Sequence, residues 1–212
     1  MIITLASLKG GSGKTSLSVH LAHSIALAGR RCLLVDADPQ ASASTWASAR
    51  DDKPPFSVVG MARATLHKEL PDLMEGYDHA VIDTPPRTSK LTGAAIVASD
   101  LVLIPLKPSS YDVWAVGETV ELVEKTKSIK PDLLAAFVVN QAINRTVISR
   151  DVIDALADFP FPTVSTVIRQ RVAIAESSGG YTCMETAPSG AAAREFKAMA
   201  KDVLKLMEAE KW

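Results

Sequence analysis

The sequence predicts an α/β domain, a mostly parallel, twisted sheet with helices on both faces. Short runs rich in Val, Ile and Leu alternate along the chain with stretches of helical periodicity. That alternation builds right-handed βαβ units whose helices cover both faces of a sheet. Hydrophobic residues make up 47% of the chain and aromatics 5%, which indicates an aliphatic core rather than a disordered or fibrous chain. A length of 212 residues suits one domain, 1–212.

The strand candidates are residues 2–6, 31–35, 56–59, 79–82, 101–105, 135–139 and 163–166, each a short apolar run. Residues 15–28 read as a helix ended by Gly29. Residues 111–126 read as another, with Val113, Val116, Val120 and Val123 on one stripe. A last helix spans about 191–208. Residues 51–55 are polar and Pro-rich, and read as a surface loop rather than a domain boundary. Trp46 and Trp114 are expected to pack, and His20, His23, His67 and His79 lack metal-ligand spacing.

A net charge of −1 gives no general attraction to nucleic acid, so any such contact needs a local patch. Cys32 and Cys183 are too few for a disulfide framework or metal cluster and fit a reducing, cytoplasmic compartment. The N-terminus lacks a secretion pattern, and no apolar run approaches the roughly 18 to 20 residues of a membrane span.

The chemistry concentrates in Lys9-Gly10-Gly11-Ser12-Gly13-Lys14-Thr15, directly after the apolar Ile2-Ile3-Thr4-Leu5-Ala6. A buried strand, a glycine loop and a helix opening near Thr15 let backbone N–H groups curl around a di- or triphosphate. Lys14 reaches the outer phosphates and the Thr15 hydroxyl is offered to Mg²⁺. The ordinary phosphate-loop pattern asks for glycine where Leu8 stands, and an extra lysine, Lys9, follows at the loop entrance. A solvated loop-edge lysine is the simpler reading of Lys9.

Two later strand ends add carboxylates. Leu33-Leu34-Val35-Asp36-Ala37-Asp38-Pro39-Gln40 places two acids two residues apart, on one side of an extended chain. Ala80-Val81-Ile82-Asp83-Thr84-Pro85-Pro86 ends an apolar run in a third. Mg²⁺ prefers one or two carboxylates plus phosphate oxygens and water. These acids with Thr15 suffice, and one can orient an attacking water.

KGGSGKT, VDADPQ, VIDTPP, Ile104-Pro105-Leu106-Lys107-Pro108-Ser109 and Val138-Val139-Asn140-Gln141 occur in the order seen in ParA-type partition ATPases. The resemblance runs through essentially the whole chain and is to the deviant Walker A, MinD/ParA superfamily. It looks most like the small stand-alone ParF-like branch, because no DNA-binding module precedes the loop. The resemblance implies a P-loop NTPase fold that uses ATP and Mg²⁺. Lys9 then resembles the signature lysine that reaches the partner subunit's nucleotide in a homodimer with ATP sandwiched between subunits. Gly10, Gly11, Ser12, Gly13, Lys14, Thr15 and Ser16 form the cofactor-binding loop, and Asn140 resembles the adenine contact. Asp38 looks like the residue that positions water; Asp36 supports the metal region and Asp83 is the Walker B acid. No arginine finger is assignable, so hydrolysis is expected to be slow, on the order of 10⁻⁴ to 10⁻² per second.

In the last helix Arg194, Lys197, Lys201 and Lys205 form a basic stripe opposite Phe196, Met199, Val203 and Leu206. Such a stripe neutralises DNA phosphates without reading bases, and Arg169 and Arg171 extend it by the same resemblance. The competing reading is an ordinary charged face, diluted by Glu195, Asp202, Glu208 and Glu210. The implied function is a segregation switch, cytoplasmic and nucleoid-associated. It dimerises with ATP, binds DNA non-specifically and hydrolyses under a ParB-like or small ribbon-helix-helix centromere-binding partner. Two alternatives stand beside it. One is a MinD-like membrane-associated positioning ATPase, against which the short Lys211-Trp212 tail counts. The other is a metabolic ligase of the dethiobiotin or cobyrinate synthetase type, for which the sequence shows no substrate pocket.

Overall fold

The computed structural model describes residues 1–87, 89–143 and 148–209. The first half runs β1 (Ile2–Leu5), α1 (Lys14–Leu27), β2 (Cys32–Asp36), α2 (Ser42–Ser48), β3 (Ser57–Gly60), α3 (Leu66–Leu73) and β4 (His79–Asp83). Then come α4 (Ser89–Ala98), β5 (Leu101–Leu106), α5 (Ser110–Lys127), β6 (Leu134–Val139) and α6 (Ile148–Leu156). The short α7 (Val172–Glu176) and α8 (Cys183–Thr186) precede the long α9 (Ala191–Ala209).

The six strands form one parallel sheet ordered β3-β2-β4-β1-β5-β6. Helices cover both faces, which is why β2, β4 and β5 are buried along their whole length. Alternate residues of one strand serve opposite faces. Leu34 and Val81 pack under α1 and α9 with Leu17, Leu21, Phe196 and Val203. Their neighbours Leu33, Val35, Ala80 and Ile82 pack instead against Leu66, Leu70 and Ala95 of α3 and α4. Val116, Val120 and Val123 of α5 are buried against Val102, Ile104 and Phe137, with Val113 at the margin, as their spacing predicts.

The sheet places the site. β1 has β4 on one side and β5 on the other, so strand order reverses at β1 and opens a crevice beyond its carboxyl end. The register aligns Leu5 with Asp83 and Asp83 with Asp36. The phosphate loop and two carboxylates therefore meet at one edge.

Two expectations need correction. Residues 163–166 make only a bridge at Thr163 to Phe137. Pro160 and Pro162 supply no N–H there, and the Thr166 N–H donates to Asp202 Oδ2 at 3.1 Å instead of extending the ladder. Trp46 packs as expected, stacked on Phe56 at 5.7 Å with its indole N–H donating to Ser177 O. Trp114 does not pack: it is 73% exposed, edge-on to Tyr111. It lies about 200° around α5 from the buried Val116.

Candidate nucleotide-binding site

The loop after β1 has the backbone that its glycines permit. Gly11 and Gly13 adopt φ of 76° and 86°, left-handed values that an L side chain resists. Any side chain at Gly13 would also run into the Asn140 amide. α1 begins at Lys14 with no side-chain cap and no acid in its first turn, leaving its first N–H groups and dipole open to an anion.

Two lysines have defined partners here. Lys14 is buried under the loop and donates to the carbonyls of Ser7 at 3.1 Å and Lys9 at 3.5 Å. Burial lowers its pKa, against the attraction of Asp83 and Asp38. Lys9 turns away to the first turn of α5, where its ammonium pairs with Asp112 at 2.9 Å; its side chain is 37% exposed and that of Asp112 7%. Asp112 also accepts from the hydroxyl of Ser109, which caps α5. The Ser109-x-x-Asp112 spacing signals a capped helix start, but nothing local signals a pairing with Lys9.

The three carboxylates divide their tasks. Asp83 is fully buried; its Oδ1 accepts from the Ser18 hydroxyl, while Oδ2 has no hydrogen-bond partner among the described residues. Burial pushes this carboxyl up to about 7, helped by Asp36 alongside and opposed by the Thr15 and Ser18 hydroxyls and Lys14. Asp36 accepts from the Asp38 N–H on one oxygen and from the N–H and hydroxyl of Ser44 on the other. It therefore ties the segment after β2 to the start of α2. Asp38 is half-buried, and its Oδ1 accepts from the Gln40 N–H at 2.9 Å.

This donor set fits a Mg²⁺–nucleotide. A buried, unpartnered carboxylate oxygen, the orphaned hydroxyls of Ser12 and Ser16 and an uncapped helix start all lack a partner that a hydrated cation and polyphosphate supply. No group of three metal-ligating side chains occurs among the described residues. That leaves one or two carboxylates, Thr15 and the nucleotide's own oxygens, as Mg²⁺ prefers.

Asn140 closes the far side, donating to Ser12 O at 2.8 Å and accepting from the Gln141 N–H. A cavity of about 480 Å³, not foreseen from the sequence, adjoins Thr15 and Ser16 and is lined by Gln40, Ser42, Thr45 and Trp46. His20 beside it is buried, its Nδ1 2.7 Å from Ser16 O and its Nε2 accepting from the Cys183 N–H.

The basic residues fall into two groups. Arg169 and Arg171 pair with Glu195 at 2.8 and 2.6 Å. Burial resists the charge on Glu195, but these two partners hold its carboxyl below the usual range. Glu195 balances one of these two charges within the fold, so the pair keeps a net positive charge beside the stripe. Arg194, Lys197, Lys201 and Lys205 are exposed on α9. Two acids expected to dilute them point elsewhere: Glu195 serves the arginines and Asp202 serves Thr166. The Glu208 side chain and Glu210 lie outside the described residues, as does Lys211-Trp212. The apolar face of α9, with Phe196, Met199, Val203 and Met207, is spent in the core. No helix among the described residues is long and apolar enough to cross a membrane.

Comparison with known proteins agrees with this geometry. Residues 3–180 match the family model of the CobQ/CobB/MinD/ParA nucleotide binding domain. Maintenance of carboxysome distribution protein A of Halothiobacillus neapolitanus is 30% identical, over 80% of this chain and 79% of that protein. The chromosome-partitioning ATPase Soj of Thermus thermophilus is 29% identical, over 95% and 94%. Among solved structures, the cell division ATPase MinD of Pyrococcus furiosus superposes with a TM-score of 0.81 at 21% identity, over 97% of this chain and 98% of that one. Cobyrinic acid a,c-diamide synthase from Mycobacterium smegmatis superposes at 0.78 with 20% identity, over 96% and 94%. The chain belongs to the CobQ/CobB/MinD/ParA nucleotide-binding family, as a ParA-type ATPase.

Proposed function

We propose that the chain is an ATP-driven dimerising switch that positions or segregates a cargo, binding DNA non-specifically in its ATP-bound dimer. The observation that carries this reading is the division between the two loop lysines. Lys14 is buried beneath the loop, where its own subunit's phosphates would sit, whereas Lys9 is half-exposed and pairs with Asp112 instead of the loop carbonyls. A cation placed so suits a nucleotide in a second copy better than its own.

ATP and Mg²⁺ are the cofactors. Asp83 and Thr15 hold the metal region, with Asp36 fixing the segment that carries Asp38, and Asp38 orients the attacking water. Bound Mg²⁺ neutralises charge on the outer phosphates, and the chain's N–H groups and Lys14 do the rest. Asn140 guards the adenine side. A slow clock suits a switch, and hydrolysis is timed by a ParB-like or ribbon-helix-helix partner. The names of the relatives, carboxysome distribution and chromosome partitioning, support a positioning role.

The DNA contact is proposed for Arg194, Lys197, Lys201 and Lys205, exposed along α9. Replacing Lys197, Lys201 and Lys205 together should weaken binding to every DNA sequence alike while ATP-dependent dimerisation survives. The slope of log K against log salt should fall by roughly 0.9 per lost phosphate contact. Unchanged affinity and slope would remove α9 from the interface.

The cavity of about 480 Å³ beside Thr15 and Ser16 favours one second reading, a small-molecule ligase that phosphorylates a carboxylate held there. ATP turnover that ignores DNA and partner but rises with such a substrate would select it.

A further inference from the structure

We propose that Lys107 is a phosphate-contacting residue of the nucleotide site, a third cation that grips the outer phosphates over Gly11. The inference rests on the ATP-site reading above and adds a residue from a different strand. Lys107 follows β5 directly and is half-buried. A Cβ built on Gly11, in the middle of the phosphate loop, would lie 3.9 Å from the Lys107 ammonium. That places the nitrogen on the loop itself and not in open solvent.

Its backbone is fixed from several sides. Pro105 and Pro108 flank it. The Asn140 N–H donates to Leu106 O at 2.8 Å, and the Ser109 N–H donates to Lys107 O at 2.8 Å. Ser109 then caps α5. These bonds fix the backbone that carries Lys107, so its place beside the loop is set before a ligand arrives.

Charge makes the stronger argument. Lys9 has Asp112 as its partner and Lys14 has two carbonyls and nearby Asp83 and Asp38. The Lys107 ammonium has neither hydrogen bond nor ion pair among the described residues. An ammonium set over the phosphate loop with no anionic partner of its own has its charge matched by a polyphosphate. The loop supplies N–H groups and a helix start aimed at the same anion.

The test is binding, read by fluorescence anisotropy of labelled ATP displaced by unlabelled ATP, ADP and AMP. Lys107→Gln should weaken ATP roughly ten- to a hundredfold, the range for a hydrogen bond to a charged group, and leave AMP unchanged. Lys107→Arg should restore most of the loss, and circular dichroism should show both variants folded. Lys107→Gln binding ATP within about twofold of the parent, or losing AMP equally, would overturn the inference. Lys14→Ala run alongside separates the two claims. If it too binds ATP normally, the nucleotide-site reading itself falls; if it alone fails, only the role of Lys107 does.

Discussion

Acidification should destabilise this protein through His20, and the size of the effect follows from where the imidazole sits. Its ring stacks on Phe196 of α9 at 4.1 Å, its Nδ1–H donates to Ser16 O in α1, and its Nε2 accepts from the Cys183 N–H that opens α8. This arrangement needs the neutral ring, because protonated Nε2 can no longer accept. Burial drives the pKa down to about 4, with the Ser16 bond and Glu185 opposing and His23 adding to the fall. A folded pKa below the ordinary 6.5 means that the unfolded chain binds the proton better, so stability is full above 6.5 and is lost as pH falls toward 4. The interval is worth about 3.4 kcal/mol at about 1.36 kcal/mol per pH unit, of which about 2 kcal/mol is gone by pH 5. Urea unfolding at pH 7.5 and pH 5.0 measures this against His20→Gln, whose side chain does not titrate. The parent should lose about 2 kcal/mol more than the variant over that interval. Parallel losses in the two proteins would refute the reasoning.

The remaining predictions concern the loop carboxylates. Asp83→Asn should stabilise the nucleotide-free chain in urea at pH 8, because a carboxyl raised to about 7 by burial is costlier to ionise when folded and loses stability as pH rises toward 7; the same variant should lose Mg²⁺-dependent ATP binding, and equal stability at pH 8 would contradict the burial argument. Asp112→Asn should free Lys9 and tighten ATP-dependent self-association by up to about fivefold, the worth of a half-exposed pair. It should also lower stability by about 0.5 kcal/mol through loss of an acid in the first turn of α5. Sedimentation that shows no tightening would mean that the Lys9–Asp112 pair does not restrain the lysine.

The sheet was legible because both its faces are covered, so β4 and β5 read as unbroken apolar runs that end at functional residues. The loop was legible because Gly11 and Gly13 take backbone angles that few other residues tolerate. What escaped the sequence depends on contacts between distant segments. Lys9 meets Asp112 only because β1 and β5 are neighbours in the sheet. Arg169 and Arg171 share Glu195 as a partner because the turn of α9 that carries it packs beside them. The acid pair Asp36 and Asp38 was visible in the sequence, whereas Ser44 as a partner of Asp36 depends on the placement of α2. Residues 163–166 have strand composition, but an aspartate on α9 competes for the Thr166 N–H.

The most direct test of the account is the mass of the protein by light scattering with Mg²⁺ and ATP, for the parent and for Lys9→Ala. The parent should shift from monomer to dimer, and Lys9→Ala should bind ATP yet remain a monomer. A Lys9→Ala chain that dimerises with ATP as the parent does would contradict the reading that Lys9 acts across the interface, and with it the proposed switch.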